Sequence, residues 1–290
     1  MNAFRLANRG SQSKRFVVVT HAASALFTSC ALVAGGVLAG WAAPVATGNP
    51  ATAAGWPSPA CDGKSTKPMD LWDDVKDATP QKPGNNEKVV FPGGANDREH
   101  GYAIHFGAEP KRSATNHLLL AAIREQGIEC PNLLDSAAAE YFHDAFTEKD
   151  VLPKGTDWAL GIESADNRSR DQLHIHISKL KGGARTDIDN AAKSIPTKES
   201  DWRNAIITVQ GKKFRAWHAP DLDHNLFILL NDQIVTPLQG KKVKVGMADE
   251  TLLVTASTKG SGVVVLSSDE VSPDTKPAGA NNIEFLLDKG

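Results

Sequence analysis

Between Arg15 and Asp62 the chain has no lysine, arginine, aspartate or glutamate. That rules out a solvated, charge-laced helix for this stretch. Cysteine is scarce, at positions 30, 61 and 130 only, and no two have the spacing of a zinc finger or ribbon. There is no block of like charge either. With 32 basic against 34 acidic residues and a formal net charge of −2, the protein has no overall field to draw in nucleic acid. The densest basic patch, Lys241-Lys242-Val243-Lys244, reads as a solvated strand edge. No internal repeat is present, which excludes a solenoid.

What remains is an ordinary globular composition, 41% hydrophobic and 23% charged over 290 residues, enough for one large or two small cores. The amino-terminal part stands apart. Arg5, Arg9, Lys14 and Arg15 precede an apolar stretch from Phe16 to Ala43. As a helix it would be roughly 42 Å long, against about 30 Å of bilayer hydrocarbon. The expected organisation is a membrane anchor over residues 1–45, a Gly/Pro/Ala-rich linker over 46–68 and a folded domain over 69–290. The positive flank would stay in the cytoplasm and the domain would be exported. A cleaved signal peptide competes with the anchor, since Gly40-Trp41-Ala42 and Ala51-Thr52-Ala53 both resemble cleavage sites. Export would leave Cys61 and Cys130 where a disulfide is permitted.

Within the domain, apolar periodicity predicts a short helix at Leu71–Val75 and strands at Lys88–Phe91, Tyr102–Phe106 and Trp158–Ile162. Further strands are expected at Ala205–Val209, Arg215–Trp217, Leu226–Leu230, Leu252–Ala256 and Val263–Leu266, the last two forming a hairpin through Lys259-Gly260-Ser261-Gly262. The run from Asn116 to Ile123 fits a strand or a helix turn. Helices are expected from Asn132 to Phe146, capped by Asp135 or Ser136, and from Thr186 to Ile195, stopped by Pro196. The stretch from Ser272 to Gly290 reads as a loosely held tail.

The chemistry concentrates in Gln172-Leu173-His174-Ile175-His176-Ile177-Ser178. Strand alternation puts Gln172, His174, His176 and Ser178 on one face, expected to be open to solvent, and Leu173, Ile175 and Ile177 on the apolar other. The imidazoles then lie about 6.6 to 7 Å apart along the backbone. They can be a nucleophile with its helper, or two metal ligands. Zinc needs a third protein ligand, and His100, His105, His117, His143, His218 and His224 have no diagnostic spacing. A two-histidine phosphoesterase needs a second His-x-Ser/Thr element, and none exists. A binding strand without catalysis remains open. The arginine-bearing loop Asp166–Asp171 before the strand points to a phosphate substrate.

This strand resembles the histidine-triad pattern. With Leu160-Gly161-Ile162, Ser164, Arg168-Ser169 and Asp171 to Ser178, the chain resembles the CDP-diacylglycerol pyrophosphatases, the likeness running from Leu71 to about Asp269. The resemblance implies an α+β fold, a histidine-triad-like antiparallel sheet with helices packed on one face. It implies hydrolysis of CDP-diacylglycerol to CMP and phosphatidate at the periplasmic side of a bacterial inner membrane, with no cofactor and no metal. His174 would attack the cytidylyl phosphorus, with His176 and Ser178 on phosphate oxygens, Arg168 countering charge, and Gln172 and Ser164 lining the substrate site. The register with His176 as nucleophile stays open, as does a general nucleotide pyrophosphatase or nucleotidyl transferase. The chain departs from the pattern at Glu163, where relatives have asparagine, and at Lys179, where they have cysteine. An ionised Glu163 beside a pyrophosphate would repel it.

Overall fold

The computed structural model describes Cys61, residues 67–107 and residues 113–290. Among these no helix is long and apolar enough to cross a membrane. The span expected over Phe16–Ala43 lies outside the described residues.

Ten strands form one antiparallel sheet: β1 (Lys88–Val90), β2 (Tyr102–Phe106), β3 (Asn116–Ala121), β4 (Trp158–Ile162), β5 (His174–Leu180), β6 (Ile206–Val209), β7 (Lys212–Ala219), β8 (Thr251–Ala256), β9 (Val263–Ser268) and β10 (Leu287–Asp288). Their order is β1-β2-β3-β5-β4-β8-β9-β7-β6, with β10 pairing the end of β5. The α+β class holds. Asn116–Ala121 resolves as a strand because its residues are buried and paired on both edges.

The main core lies on the face of β5 that carries Ile175 and Ile177, just past the buried Leu173. There Ile104, Leu119, Leu160 and Leu252 meet α2 (Tyr141–Glu148) and a helical stretch made of α4 (Leu226–Leu230), a wide π turn at Asn231–Val235 and α5 (Thr236–Gly240). The opposite face is covered too. α1 (Asp70–Val75) packs over β1–β3, while α3 (Gly182–Ala191) and the segment Ala280–Leu287 pack over β7–β9. Helices therefore lie on both faces, not on one as expected.

Three local expectations fail for physical reasons. Leu226–Leu230 is a helix, because the Asn225 side chain accepts from the Phe227 and Ile228 amides and caps it. The helix expected over Asn132–Phe146 is broken: Pro131–Leu134 forms a 3-10 turn, the Asp135 carboxylate accepts from the Ala137 amide, and α2 starts only at Tyr141. The stretch after Ser272 is firmly held. Ile283 and Leu286 are buried, and Leu287 and Asp288 pair with Leu180 and Lys179.

An anchor for that stretch is Arg215 on β7, which is fully buried. Its guanidinium donates to Asp269 at 2.7 Å, to Asp274 at 3.1 Å and to Glu250 at 3.3 Å. Cys61 and Cys130 are joined in a disulfide with Cα atoms 5.1 Å apart, closing a loop whose restriction in the unfolded chain is worth about 4 kcal/mol. Cys61, which the sequence reading places in the linker, is thus tied to the folded domain.

Burial pushes the Glu250 carboxyl up from 4.5 to about 8, against the pull of Arg215 and with Asp269 adding to the push. The folded protein therefore holds a proton there that the unfolded chain releases between pH 4.5 and 8. Stability from this group is full below its unfolded value and is lost as pH rises through the folded one. Glu250→Gln should flatten the fall in unfolding midpoint between about pH 5 and 8 by a few degrees, 1 kcal/mol being worth about 2–4 °C for a domain of this size. Thermal scans at several pH values check it, and parallel curves for the two proteins would refute it.

Candidate active site

β5 sits between β3 and β4, with His176 opposite Leu118 and Gly161, and His174 opposite Leu120. Directly opposed residues share a face, so both imidazoles project from the side away from the main core. They do not face solvent. His174 is 6% and His176 4% exposed, because the α1 cluster covers one flank and Ile283 the other. Gly161 is needed for this approach, since a Cβ there would press on the Ile283 side chain at 3.1 Å.

His174 Nδ1 lies 2.7 Å from the backbone carbonyl of Gln172. A carbonyl only accepts, so Nδ1 carries the hydrogen and donates it, leaving Nε2 with its lone pair. The two ring planes meet edge to face at 72°, with centroids 5.3 Å apart. Neither nitrogen of His176 has a hydrogen-bond partner, although Nε2 is 3.4 Å from Glu284 Oε1. Burial holds both imidazoles below their ordinary value, His176 further because His174 adds to the effect. Both are neutral near pH 7.

Glu163 completes the group. The β4–β5 register, continued by two residues beyond the Gly161–His176 pair, sets Glu163 opposite His174. One ligand atom from each of Glu163, His174 and His176 lies within 4.8 Å of the others, so these three could hold a divalent metal. Burial, and next the Glu284 carboxylate, push Glu163 up to about 7. Much of it is then uncharged at neutral pH, which lessens the repulsion expected towards a pyrophosphate.

The other candidate residues divide between support and site. Gln172 donates its amide to the carbonyls of Ala121 and Ile123 at 2.9 and 2.6 Å, pinning the chain where β3 ends. Its Oε1 and the Ser164 hydroxyl are buried without partners. Ser178 donates to the Thr115 carbonyl at 2.7 Å, so its proton is not offered to a phosphate. Arg168 is buried and bonds Asp171 at 2.9 and 3.0 Å and Glu129 at 2.5 and 2.6 Å. It braces the loop and acts on His174 only through space.

Sequence reasoning missed Glu163 as a member of the group, along with Glu284 and Lys289, which sit in the supposed tail. Hairpin register would have found the first. Of the ten buried side-chain N and O atoms without a hydrogen-bond partner among the described residues, five belong to Glu163, Ser164, Gln172 and His176. Leaving each unpaired costs about 1–3 kcal/mol, a concentration typical of a binding or catalytic centre.

Two curated proteins are similar to part of this chain. One is the CDP-diacylglycerol pyrophosphatase of Yersinia pestis, 33% identical over 93 residues, covering 30% of this chain and 35% of that protein. Another is that of Mycobacterium bovis (strain BCG / Pasteur 1173P2), 32% identical over 107 residues, covering 34% of this chain and 39% of that protein. The chain thus matches little more than a third of the length of these curated relatives. The family model for CDP-diacylglycerol pyrophosphatase matches residues 67–290, which include both histidines, and the chain belongs to that family.

Proposed function

We propose that the protein hydrolyses the pyrophosphate bond of CDP-diacylglycerol to CMP and phosphatidate, with His174 as nucleophile, on a histidine-triad-like plan. The observation that carries this is the 2.7 Å bond from His174 Nδ1 to the Gln172 carbonyl. It fixes the tautomer and aims a neutral Nε2 beside His176 and Glu163. Nε2 attacks the cytidylyl phosphorus and the bond to the phosphatidate oxygen breaks. Water then adds to phosphorus, the P–N bond breaks, and CMP leaves with the imidazole restored. In this reading His176 and the Ser164 hydroxyl, which have no hydrogen-bond partner among the described residues, bond phosphate oxygens. A general nucleotide pyrophosphatase is the competing activity on the same residues.

His174→Ala should lower turnover by at least about 10³-fold and, by leaving the buried Gln172 carbonyl unpaired at a cost of about 1–3 kcal/mol, lower the thermal midpoint by a few degrees without unfolding the domain. Ile175→Asp, which buries a charge in the main core, should abolish folding. Mass spectrometry of the acid-quenched enzyme should find a cytidylyl adduct on His174. An adduct that persists in His174→Ala and disappears in His176→Ala would assign the other register.

The Glu163, His174 and His176 group supports a second reading, a metal-assisted hydrolase. Dialysis against a strong chelator should leave activity intact if the imidazole itself attacks. Activity lost on chelation and restored by stoichiometric zinc decides for the metal.

The charge-free stretch before Asp62 supports a membrane anchor that holds the domain at the periplasmic side of the inner membrane. A tether raises effective concentration at a surface, which helps a lipid substrate and not a soluble one. A chain beginning at Ala60, which keeps the Cys61 disulfide, should lose far more activity on CDP-diacylglycerol in vesicles than on a soluble CDP-alcohol. Equal losses would favour the general nucleotide pyrophosphatase, and native protein recovered free of membranes with a new amino terminus near Ala43 or Ala54 would favour a cleaved signal.

A further inference from the structure

A pyrophosphate ester brings negative charge to the group formed by Glu163, His174 and His176, and a cation beside that group would offset it. Arg168 is bonded to two carboxylates, Glu129 and Asp171. Lys67 donates through Nζ to the carbonyls of Ala165, Asp166 and Arg168 at 2.7, 2.8 and 2.5 Å, and so braces the same loop. Lys289 differs. Its ammonium pairs with Glu284, a carboxylate whose Oε1 is 3.4 Å from His176 Nε2. Outside the pair lies an open depression of about 730 Å³, lined by Lys181, Asn282, Glu284, Phe285 and Lys289 among others. The other lysine that lines it, Lys181, is tied to the Phe285 carbonyl at 2.8 Å, and Asp288 on the same rim is paired with Lys179 at 2.8 Å. The charge of Lys289 already reaches Glu163, His174 and His176, where it disfavours a proton on each.

We propose that Lys289 binds the pyrophosphate of a nucleoside diphosphate ester at the histidine site, and that Glu284 occupies the ammonium until the substrate displaces it. The inference rests on the phosphoryl-transfer reading of His174. Exchanging one oxyanion for another on an ammonium already held at the mouth of the site demands little reorganisation. Glu284, about one-third exposed, can swing back into water. With its carboxylate gone from beside His176, the repulsion on an incoming phosphate falls. The pair therefore screens the site against neutral and cationic ligands while remaining open to a stronger polyanion.

This arrangement requires the two partners to have opposite effects on affinity, which a merely structural ion pair would not show. For CDP-diacylglycerol in mixed micelles, Lys289→Ala should raise KM about tenfold with kcat changed less than about twofold, and Lys289→Arg should recover most of the loss. Glu284→Gln should lower KM about threefold, and the double variant should fall between the single ones. Calorimetric titration with inorganic pyrophosphate should rank the proteins in the same order without any turnover. If the wild-type protein binds pyrophosphate in that order yet hydrolyses no CDP ester, the hydrolase reading fails and this one stands. If it hydrolyses CDP-diacylglycerol while Lys289→Ala leaves KM and pyrophosphate binding unchanged, or Glu284→Gln weakens both, the role of Lys289 is refuted. Absence of both turnover and pyrophosphate binding overturns both.

Discussion

β5 is hydrogen-bonded on both edges, to β3 and to β4, and every functional property described here depends on that pairing. Slipping the strand by one residue would turn Ile175 and Ile177 out of the main core and drive both imidazoles into it. Those isoleucines are fully buried, each worth about 1.5–3 kcal/mol, so the hydrophobic face sets the register and the chemical face follows. The same register delivers Glu163 from β4 to a place opposite His174. An apolar packing preference thus places three polar side chains that have no direct affinity for one another.

Covering that polar face determines its chemistry. A histidine strand exposed to water would titrate near its ordinary value and compete with solvent for every phosphate oxygen. Here the α1 cluster on one side and Ile283 on the other bury the face, and the imidazoles stay neutral. The cost is that charge for the substrate cannot come from the interior. Arg168 is fully engaged in holding the Ser164–Asp171 loop, leaving the rim, where Lys289 and Glu284 lie, as the place where an anion is met. The Arg215 cluster acts at a distance by pinning Asp269 and Asp274, from which the chain runs on to Ile283 and Glu284.

How much of this could be read from the sequence depended on the range of the interactions involved. Strands bounded by turn residues, such as Tyr102–Phe106 and Trp158–Ile162, were legible because alternation and punctuation are local. Leu226–Leu230 was not, because five consecutive apolar residues satisfy either period. The helical reading appears only when Ile234, Val235 and Leu238 are added and Asn225 is recognised as a cap. The segment after Ser272 looked loose because its anchors are distant in sequence: Asp274 bonds Arg215, and Asp288 pairs with Lys179. Glu163 was visible as a departure from the family pattern but not as a partner of His174, since that needs the hairpin register and not the residue type. The two histidines themselves were legible, whereas their burial was not, because the segment that covers them was assigned to the tail.

One lone pair decides between the two chemistries that Glu163, His174 and His176 allow. Nε2 of His174 cannot both attack phosphorus and hold a metal. Zinc ligands sit about 2.0–2.2 Å from the ion, so no two of them are more than about 4.4 Å apart, and ligand atoms of this group, all within 4.8 Å of one another, are close enough for either chemistry. A metal-bound histidine also gives its second ring nitrogen to a carbonyl or carboxylate that orients it. His174 does so through Gln172, but neither nitrogen of His176 is bonded. One imidazole locked in tautomer and direction, beside another whose nitrogens have no hydrogen-bond partner among the described residues, is the asymmetry on which the proposed attack by His174 rests.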